Sequence, residues 1–318
     1  MKKMTSVLLA ALLAAVLMLP GAAAAEEKEL LIVTTIFPVY DWVREVAGTN
    51  VKAEIVQLLD NGVDLHSYQP TAEDIRRVTE ADLFIYVGGE SDEWVEAVAD
   101  TVAGPDWNAL NLMETLGDAV KAEEALEGME AETHEEEGEE EADEHIWLSL
   151  RNAKILTCAI AEALAETDPA HAEAFRKNAE GYGTKLDELD GAYTEAVNQA
   201  GGKTLLFCDR YPFRYLADDY GLTCYAAFSG CSAESEASFQ TIIFLAQKLD
   251  ELDLSSVITL ENSRAKIADT VINTSKAGNQ KILTMDSMQG TTSRDAAAGA
   301  TYLNIMEKNL EVLREALN

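Results

Sequence analysis

Two of the four histidines in this sequence lie where a metal-binding side chain is expected. His66, in DNGVDLHSYQPTAED, lies between a predicted strand and a predicted helix, and His145 lies between a strongly acidic run and the apolar segment IWL. Open α/β folds bind ligands at the carboxyl ends of their parallel strands, which favours His66 as a binding residue. Of the others, His134 lies within the acidic run, and His171 lies in the first turn of a long predicted helix, where a surface position is expected.

Carboxylates follow three predicted strands in the second half of the chain. Asp209 follows TLLFC, Glu261 follows SSVITL and Asp286 follows KILTM. An acid after a strand is often only a helix cap, but here two imidazoles from one half can meet carboxylates from the other. That ligand set suits Zn²⁺ or Mn²⁺ and requires the two halves to converge on one cleft.

The elements that would position these residues alternate between strand and helix. In the first half, a strand at LIVTT, a helix to Gly48, the strand VKAEIVQLL, the helix TAEDIRRVTEA and the strand DLFIYVGG follow one another. In the second half, the strands KTLLFCD, LTCYAAF, SSVITLE and KILTMD alternate with helices, the last from Asp295 to Leu317. The pattern predicts an α/β protein of two lobes, each with a mostly parallel β-sheet flanked by helices.

One long helix is predicted between the two lobes. It begins with Asp168 as N-cap and Pro169 at the first helical position, and Gly201-Gly202 ends it. The predicted organisation is a signal peptide at 1–25, a first lobe at 26–167 with an acidic loop at 122–144, the linking helix at 168–200 and a second lobe at 201–318.

The net charge and the N-terminal residues limit the expected partners and the expected location of the protein. The formal net charge of −33 excludes nucleic acid as an expected partner, because such a surface repels phosphates. A basic MKK, an apolar stretch and GAAAA predict a cleaved signal peptide and export across the cytoplasmic membrane to the periplasm or cell surface. LPGA resembles a lipobox, but Ala22 stands at the position of the lipidated cysteine, so no acylation is expected there.

The four cysteines show no C-x-x-C pair that would indicate a thiolate zinc site. Cys158 lies in an apolar helical stretch and is predicted to be buried. Cys208, Cys224 and Cys231 are close in sequence, and one local disulfide among them is plausible outside the cytoplasm, although the sequence does not indicate which pair forms it.

The acidic run has two interpretations. From Glu123 to Glu144, 13 of 22 residues are Asp or Glu. It is predicted either as a solvated loop that collects cations near the cleft mouth or as a plain disordered insertion.

Several segments together resemble one known family. TTIFPVYDWVREVAG, HSYQPTAEDIRRVTEADLFIYVGGESDEW, the acidic insertion running into HIWLS, DDYGL and the late MDS are similar to the zinc- and manganese-binding solute-binding proteins of bacterial ABC metal importers, of the cluster A-I zinc-uptake type. The resemblance implies two α/β lobes joined by one long rigid helix, with the metal in the interlobe cleft. It also implies a monomeric, non-catalytic carrier that delivers Zn²⁺, or alternatively Mn²⁺, to a membrane ABC permease.

The resemblance also implies metal ligands. His66 and His145 match the two first-lobe histidines of the family, and Asp286 in MDS matches its last carboxylate. The third ligand departs from the pattern, because a count without gaps back from YGL places Arg210 there, and a guanidinium has no lone pair to donate. Asp209, one residue earlier, is predicted to replace it.

The third metal ligand and the function each have alternatives. Glu261 or a water molecule can take the third position, with Arg210 paired to Glu261 or Asp286. Two imidazoles and the Irving–Williams order favour zinc over manganese. A secreted metallohydrolase is the alternative from another class, although no H-E-x-x-H pattern is present, and a surface adhesin with incidental metal is a third.

Overall fold

The first of two parallel sheets lies in the N-terminal half of the chain. The computed structural model describes residues 29–49, 51–62, 65–101, 104, 107–130, 141–232 and 236–318, so the predicted signal peptide lies outside the described residues. The sheet has the order β2-β1-β3-β4 with every pair parallel. Its strands are β1 (Leu30–Thr34), β2 (Ala53–Gln57), β3 (Leu83–Tyr86) and β4 (Ala109–Asn111).

The second sheet repeats this topology in the C-terminal half. Its order is β6-β5-β7-β8, again with parallel pairs. The strands are β5 (Thr204–Tyr211), β6 (Thr223–Ser229), β7 (Ser256–Leu260) and β8 (Lys281–Met285). All five residues of β7 are buried, as expected for a central parallel strand covered by helices on both faces. The predicted α/β fold with two parallel sheets is confirmed.

Eleven helices in the described residues surround the sheets. They are α1 (Phe37–Ala47), α2 (Ala72–Glu80), α3 (Trp94–Thr101), α4 (Leu112–Leu116), α5 (Leu150–Thr167), α6 (Ala172–Gln199), α7 (Arg214–Tyr220), α8 (Phe239–Glu251), α9 (Lys266–Thr274), α10 (Ser293–Ala297) and α11 (Tyr302–Ala316). Within the part of the chain that the structure describes, no helix has the length and apolar character needed to cross a membrane.

Two predicted helix boundaries were wrong. The long helix α6 begins at Ala172, because Asp168 caps the end of α5 and its carboxylate contacts His171 Nδ1 at 2.6 Å, which holds a turn between the helices. The single C-terminal helix predicted from Asp295 is two helices, α10 and α11. Gly299, with φ of 105°, lies between them.

The last helix returns to the first lobe and joins the two halves. Tyr302 is buried, and its ring lies edge-on to Trp42 with centroids 5.1 Å apart. Its hydroxyl donates to the Trp147 carbonyl at 2.7 Å, and its backbone N–H donates to Asp41 Oδ2 at 2.8 Å. The hydrophobic core therefore runs continuously from one lobe into the other beneath the cleft.

We expect the Asp41→Asn substitution to stabilise the protein near pH 7.5 but not near pH 4. Burial raises the pKa of Asp41 from 3.8 to about 6. The hydrogen bond from the Tyr302 backbone N–H offsets part of this rise, while the nearby charges of Glu45 and Arg44 make smaller, opposite contributions. The folded state thus keeps this proton up to about pH 6 while the unfolded chain releases it near pH 4, so stability falls as the pH rises through that window. Asparagine can still accept the Tyr302 N–H bond.

Chemical denaturation of both proteins at the two pH values measures this effect, which should reach roughly 2 kcal/mol at the higher pH. Asp100→Asn, on the exposed end of α3, is the control and should change the free energy of unfolding little at either pH. An equal stabilisation by Asp41→Asn at both pH values would contradict the expectation.

The cysteines do not form the predicted disulfide. All four thiols are free, and Cys158, predicted to be buried, is exposed on α5. Cys208 and Cys224 are buried in β5 and β6, where they serve as small apolar residues. Cys158 lies on the solvent-facing side of the amphipathic helix α5, not on its buried side.

Candidate metal centre

His66 lies in a 3₁₀ turn, Leu65–Ser67, that follows β2 at the carboxyl edge of the first sheet. Its Nδ1 atom lies 2.9 Å from Ser91 Oγ and 3.4 Å from Glu144 Oε2. The Ser91 backbone N–H donates to Glu144 Oε1 at 2.7 Å, which fixes this carboxylate beside the ring. With Nδ1 held in this way, the imidazole directs Nε2 toward the second histidine.

His145 is fully buried and immediately precedes a second 3₁₀ turn, Ile146–Leu148. Asp143 Oδ1 lies 2.9 Å from its Nδ1 and also accepts its backbone N–H at 2.9 Å. The next tryptophan, Trp147, lies with its ring centroid 5.3 Å from the imidazole and donates from Nε1 to the Ser287 carbonyl of the second lobe at 2.8 Å. The apolar residues after His145 thus fix the segment in the interlobe core.

The two Nε2 atoms converge to 3.3 Å. Two nitrogens that bind one tetrahedral zinc ion at ~2.0–2.1 Å lie about 3.3 Å apart, so this separation fits a shared zinc ligand pair. A carboxylate beside the opposite ring nitrogen is typical of zinc-binding histidines, since it sets the tautomer and makes the imidazole more basic. Asp143 supplies this carboxylate for His145, and Glu144 lies in the corresponding place near His66.

Cys231 completes a cluster of metal-binding side chains and was not among the ligands predicted from the sequence. Among the described residues, His66, His145 and Cys231 form the one cluster of metal-binding types, with their ligand atoms all within 4.8 Å of one another. Burial raises the pKa of the Cys231 thiol well above its usual range, and the nearby charge of Glu123 adds to the effect. The sequence feature that could have indicated a ligand is the position of Cys231 shortly after the end of a strand. Its proximity in sequence to two other cysteines favoured a disulfide instead.

Gly230 permits this close approach of the second lobe to His145. A Cβ atom at this position would lie 2.8 Å from His145 Cε1 and 3.0 Å from the Tyr211 carbonyl oxygen. Such a contact is closer than carbon atoms tolerate, so either the imidazole or the loop would have to shift.

We therefore expect Gly230→Ala to weaken zinc binding by at least ~10-fold, which is about 1.4 kcal/mol. Competition with a chromogenic chelator measures the affinity. Gly201→Ala is the matched control, because a Cβ there meets no atom within 4 Å, and its zinc affinity should equal that of the unmodified chain. Unchanged affinity in Gly230→Ala would show that the loop after β6 does not constrain His145.

Asp209 does not end its strand as predicted. β5 continues to Tyr211, with a register shift against β6 between Phe207 and Arg210. The Asp209 carboxylate accepts the Arg210 N–H at 3.0 Å through Oδ1 and the Leu260 N–H at 3.3 Å through Oδ2. Both oxygens therefore support the backbone at this irregularity, and the structure does not bring Asp209 into the cluster of His66, His145 and Cys231.

Glu261 and Asp286 form a pair of half-buried carboxyl groups at the end of the second sheet. Glu261 accepts the Ser287 N–H at 2.8 Å and its hydroxyl at 2.6 Å, while Asp286 Oδ1 accepts the Met288 N–H at 2.8 Å. Burial, followed by the charge of Asp286, raises the pKa of Glu261 to about 7, and burial also raises the pKa of Asp286. The bond between Trp147 and Ser287 places this pair on the second-lobe side of the cleft.

The described arms of the acidic run, residues 123–130 and 141–144, contact the second lobe, whereas residues 131–140 of the predicted loop lie outside the described residues. They are joined at an antiparallel bridge between Ala122 and Ala142. Glu123 Oε1 accepts the Cys231 N–H at 3.2 Å, and Glu130 Oε2 accepts the Ser238 N–H at 3.0 Å at the start of α8. These carboxylates therefore cap and fasten second-lobe backbone. His134 lies outside the described residues.

Comparison with known proteins identifies the family of this chain. The family model for the periplasmic zinc-uptake complex component A, ZnuA, matches residues 32–316. The zinc-binding lipoprotein AdcA of Streptococcus pneumoniae is 33% identical over 283 residues, which make up 89% of this chain and 54% of AdcA. The chain therefore spans about half the length of that relative. The high-affinity zinc uptake system protein ZnuA of Bacillus subtilis is 28% identical over 290 residues, covering 89% and 86% of the two chains.

Solved structures show the same architecture. The Zn(II)-bound ZnuA-like domain of Streptococcus pneumoniae AdcA matches with a TM-score of 0.71 and 30% identity over 91% of this chain and 99% of that one. The metal-dependent lipoprotein YcdH of Bacillus subtilis matches with a TM-score of 0.74 and 25% identity over 91% and 99%. With a family match over nearly all of the described chain and the same two-lobed fold, this chain belongs to the ZnuA family of periplasmic zinc-uptake complex components.

Proposed function

We propose that this chain captures one zinc ion between its two lobes and delivers it to an ABC permease for uptake. The observation that carries the proposal is the 3.3 Å separation of the His66 and His145 Nε2 atoms, which fits two corners of a zinc tetrahedron. Family membership supports the transport role, because the matched family is a component of a zinc-uptake complex. The zinc-bound AdcA domain supports zinc as the ion.

Zinc is proposed over manganese on chemical grounds. Imidazole is a softer ligand than carboxylate, and zinc lies above manganese in the Irving–Williams order. Both histidines are held by carboxylates at Nδ1 or beside it, and this arrangement increases the basicity of Nε2. A manganese site would be expected to rely more on oxygen ligands.

We propose Asp286 as the carboxylate that approaches the ion from the second lobe, with Glu261 beside it. The bond from Trp147 Nε1 to the Ser287 carbonyl supports this, because it joins the residue after Asp286 to the segment that carries His145. A bound cation would also relieve the repulsion between the two neighbouring carboxylates. Asp209 is proposed to support the irregularity in β5.

The location and partners follow from the same proposal. We infer export across the cytoplasmic membrane on the signal peptide predicted at residues 1–25, and action as a monomer that docks on a membrane permease. The related AdcA is a lipoprotein, whereas this chain has Ala22 where a lipidated cysteine would be, so we expect no lipid at that residue.

Metal titration of the demetallated chain tests the capture step. We expect one tightly bound zinc ion per chain, with manganese bound at least ~100-fold more weakly, about 2.7 kcal/mol. A preference for manganese would overturn the assignment of the ion. Hydrolysis of ester or peptide substrates by the zinc-loaded chain, lost with His145→Ala, would favour a metallohydrolase instead.

A growth experiment tests delivery. Cells that lack this chain should require more added zinc than their parent, and added manganese should not replace it. Equal growth of the two strains at limiting zinc would contradict a role in zinc uptake.

A further inference from the structure

We infer that Cys231 takes the third ligand position on the zinc ion, so that two imidazoles and one thiolate hold the metal together with the Asp286 carboxylate proposed above. The inference rests on the proposed zinc capture and concerns which side chain of the second lobe closes the site. Cys231 thereby takes the ligand position that was predicted for Asp209.

Contacts with neighbouring residues determine the position of Cys231. It lies two residues beyond the end of β6, at the carboxyl edge of the second sheet, opposite the edge that presents His66. The Glu123 carboxylate accepts its backbone N–H at 3.2 Å, and the Ser232 N–H bonds to the Ser229 carbonyl at 3.4 Å. Gly230 lets this turn lie directly against the His145 ring. Three separate contacts thus hold the backbone of the turn that carries Cys231 at the cleft.

The geometry requires only a small closure to bind zinc. With Zn–N of ~2.0–2.1 Å and Zn–S of ~2.3 Å, tetrahedral angles place the sulfur about 3.6 Å from each nitrogen. The three ligand atoms already lie within 4.8 Å of one another, so a shift of about 1 Å brings the sulfur to bonding distance.

Asp209 and the other two second-lobe cysteines are otherwise engaged. Both Asp209 oxygens accept backbone N–H groups of the second sheet. Cys208 is buried in the smaller hydrophobic cluster of the second lobe, and Cys224 is buried in the main core. Neither thiol belongs to the cluster with the histidines.

A thiolate ligand has a consequence for selectivity. Sulfur is a soft ligand that favours zinc strongly over manganese, whereas a carboxylate in its place would narrow that difference. The presence of Cys231 in place of an oxygen ligand therefore makes the site more selective for zinc. The preference is predicted to reside largely in this one side chain.

Cobalt substitution tests the inference directly. Cobalt(II) in the full mature chain should give the near-ultraviolet charge-transfer band of a sulfur–cobalt bond, and Cys231→Ser should abolish it while Cys158→Ser, at an exposed position, retains it. Cys231→Ser should also weaken zinc binding by at least ~10-fold and reduce the preference for zinc over manganese. A cobalt complex of the unmodified chain without the sulfur band would overturn the inference.

A second measurement needs no variant. Bound zinc should protect Cys231 from alkylation, as located by peptide mass spectrometry, whereas Cys158 should react equally with and without zinc. Equal alkylation of Cys231 in both states would overturn its assignment as a ligand. The two proposals separate here, because normal zinc binding without protection contradicts only the role of Cys231, while a chain that binds no zinc contradicts the proposed function itself.

Discussion

Replacing His145 by alanine should weaken zinc binding by at least ~100-fold, about 2.7 kcal/mol. The imidazole supplies one of the two nitrogens that lie 3.3 Å apart, and Asp143 already holds its tautomer and orientation. His145 is fully buried, so its removal leaves an enclosed space at this corner of the site without an imidazole to bind the ion. Competition with a chromogenic chelator measures the loss.

His171→Ala is the matched control for this experiment. His171 lies at the start of α6, where it contacts Asp168, and it does not belong to the metal-binding cluster. Its removal should leave zinc affinity unchanged. Tight zinc binding that survives His145→Ala would move the site away from the interlobe cleft and overturn the ligand assignment.

Trp147→Ala should lower the free energy of unfolding by about 4 kcal/mol, the cost of removing a large buried aromatic side chain. Trp147 is 1% exposed and donates from Nε1 to the Ser287 carbonyl across the lobes. The substitution therefore creates a cavity and leaves a second-lobe carbonyl without this donor. Zinc affinity should fall as well, because the ring packs beside His145. Chemical denaturation of the metal-free chain and zinc titration measure the two effects.

Trp107→Ala separates the effect on stability from the effect on zinc. Trp107 is half-buried in the first lobe, and its Nε1 donates to the Val78 carbonyl at 3.0 Å. This variant should lose less stability than Trp147→Ala and keep its zinc affinity. An equal drop in zinc affinity for both variants would mean that Trp147 acts through general stability alone and not by holding His145.

The fold and the family of this protein can be predicted from its sequence. Alternating strand and helix patterns specify a parallel sheet in each half, since each pattern reflects local burial and turn chemistry that neighbouring residues encode. The Thr71 capping box that begins α2 is an example of a signal complete within four residues. The position of His66 after a strand, and of His145 before an apolar turn, likewise indicated side chains at the cleft.

Which second-lobe residues come close to those histidines depends on the tertiary fold. Cys231 is far from His66 in sequence, and it reaches the cluster because the carboxyl edges of two separate sheets face each other. The register shift in β5 lies beside Asp209, which is within the strand, and both Asp209 oxygens accept backbone N–H groups there. No local sequence pattern predicts this register shift. The contacts of the acidic run with the second lobe, made by Glu123 and Glu130, could not be predicted from local sequence either. Their partners are backbone groups more than a hundred residues away, which become available only when the lobes have folded.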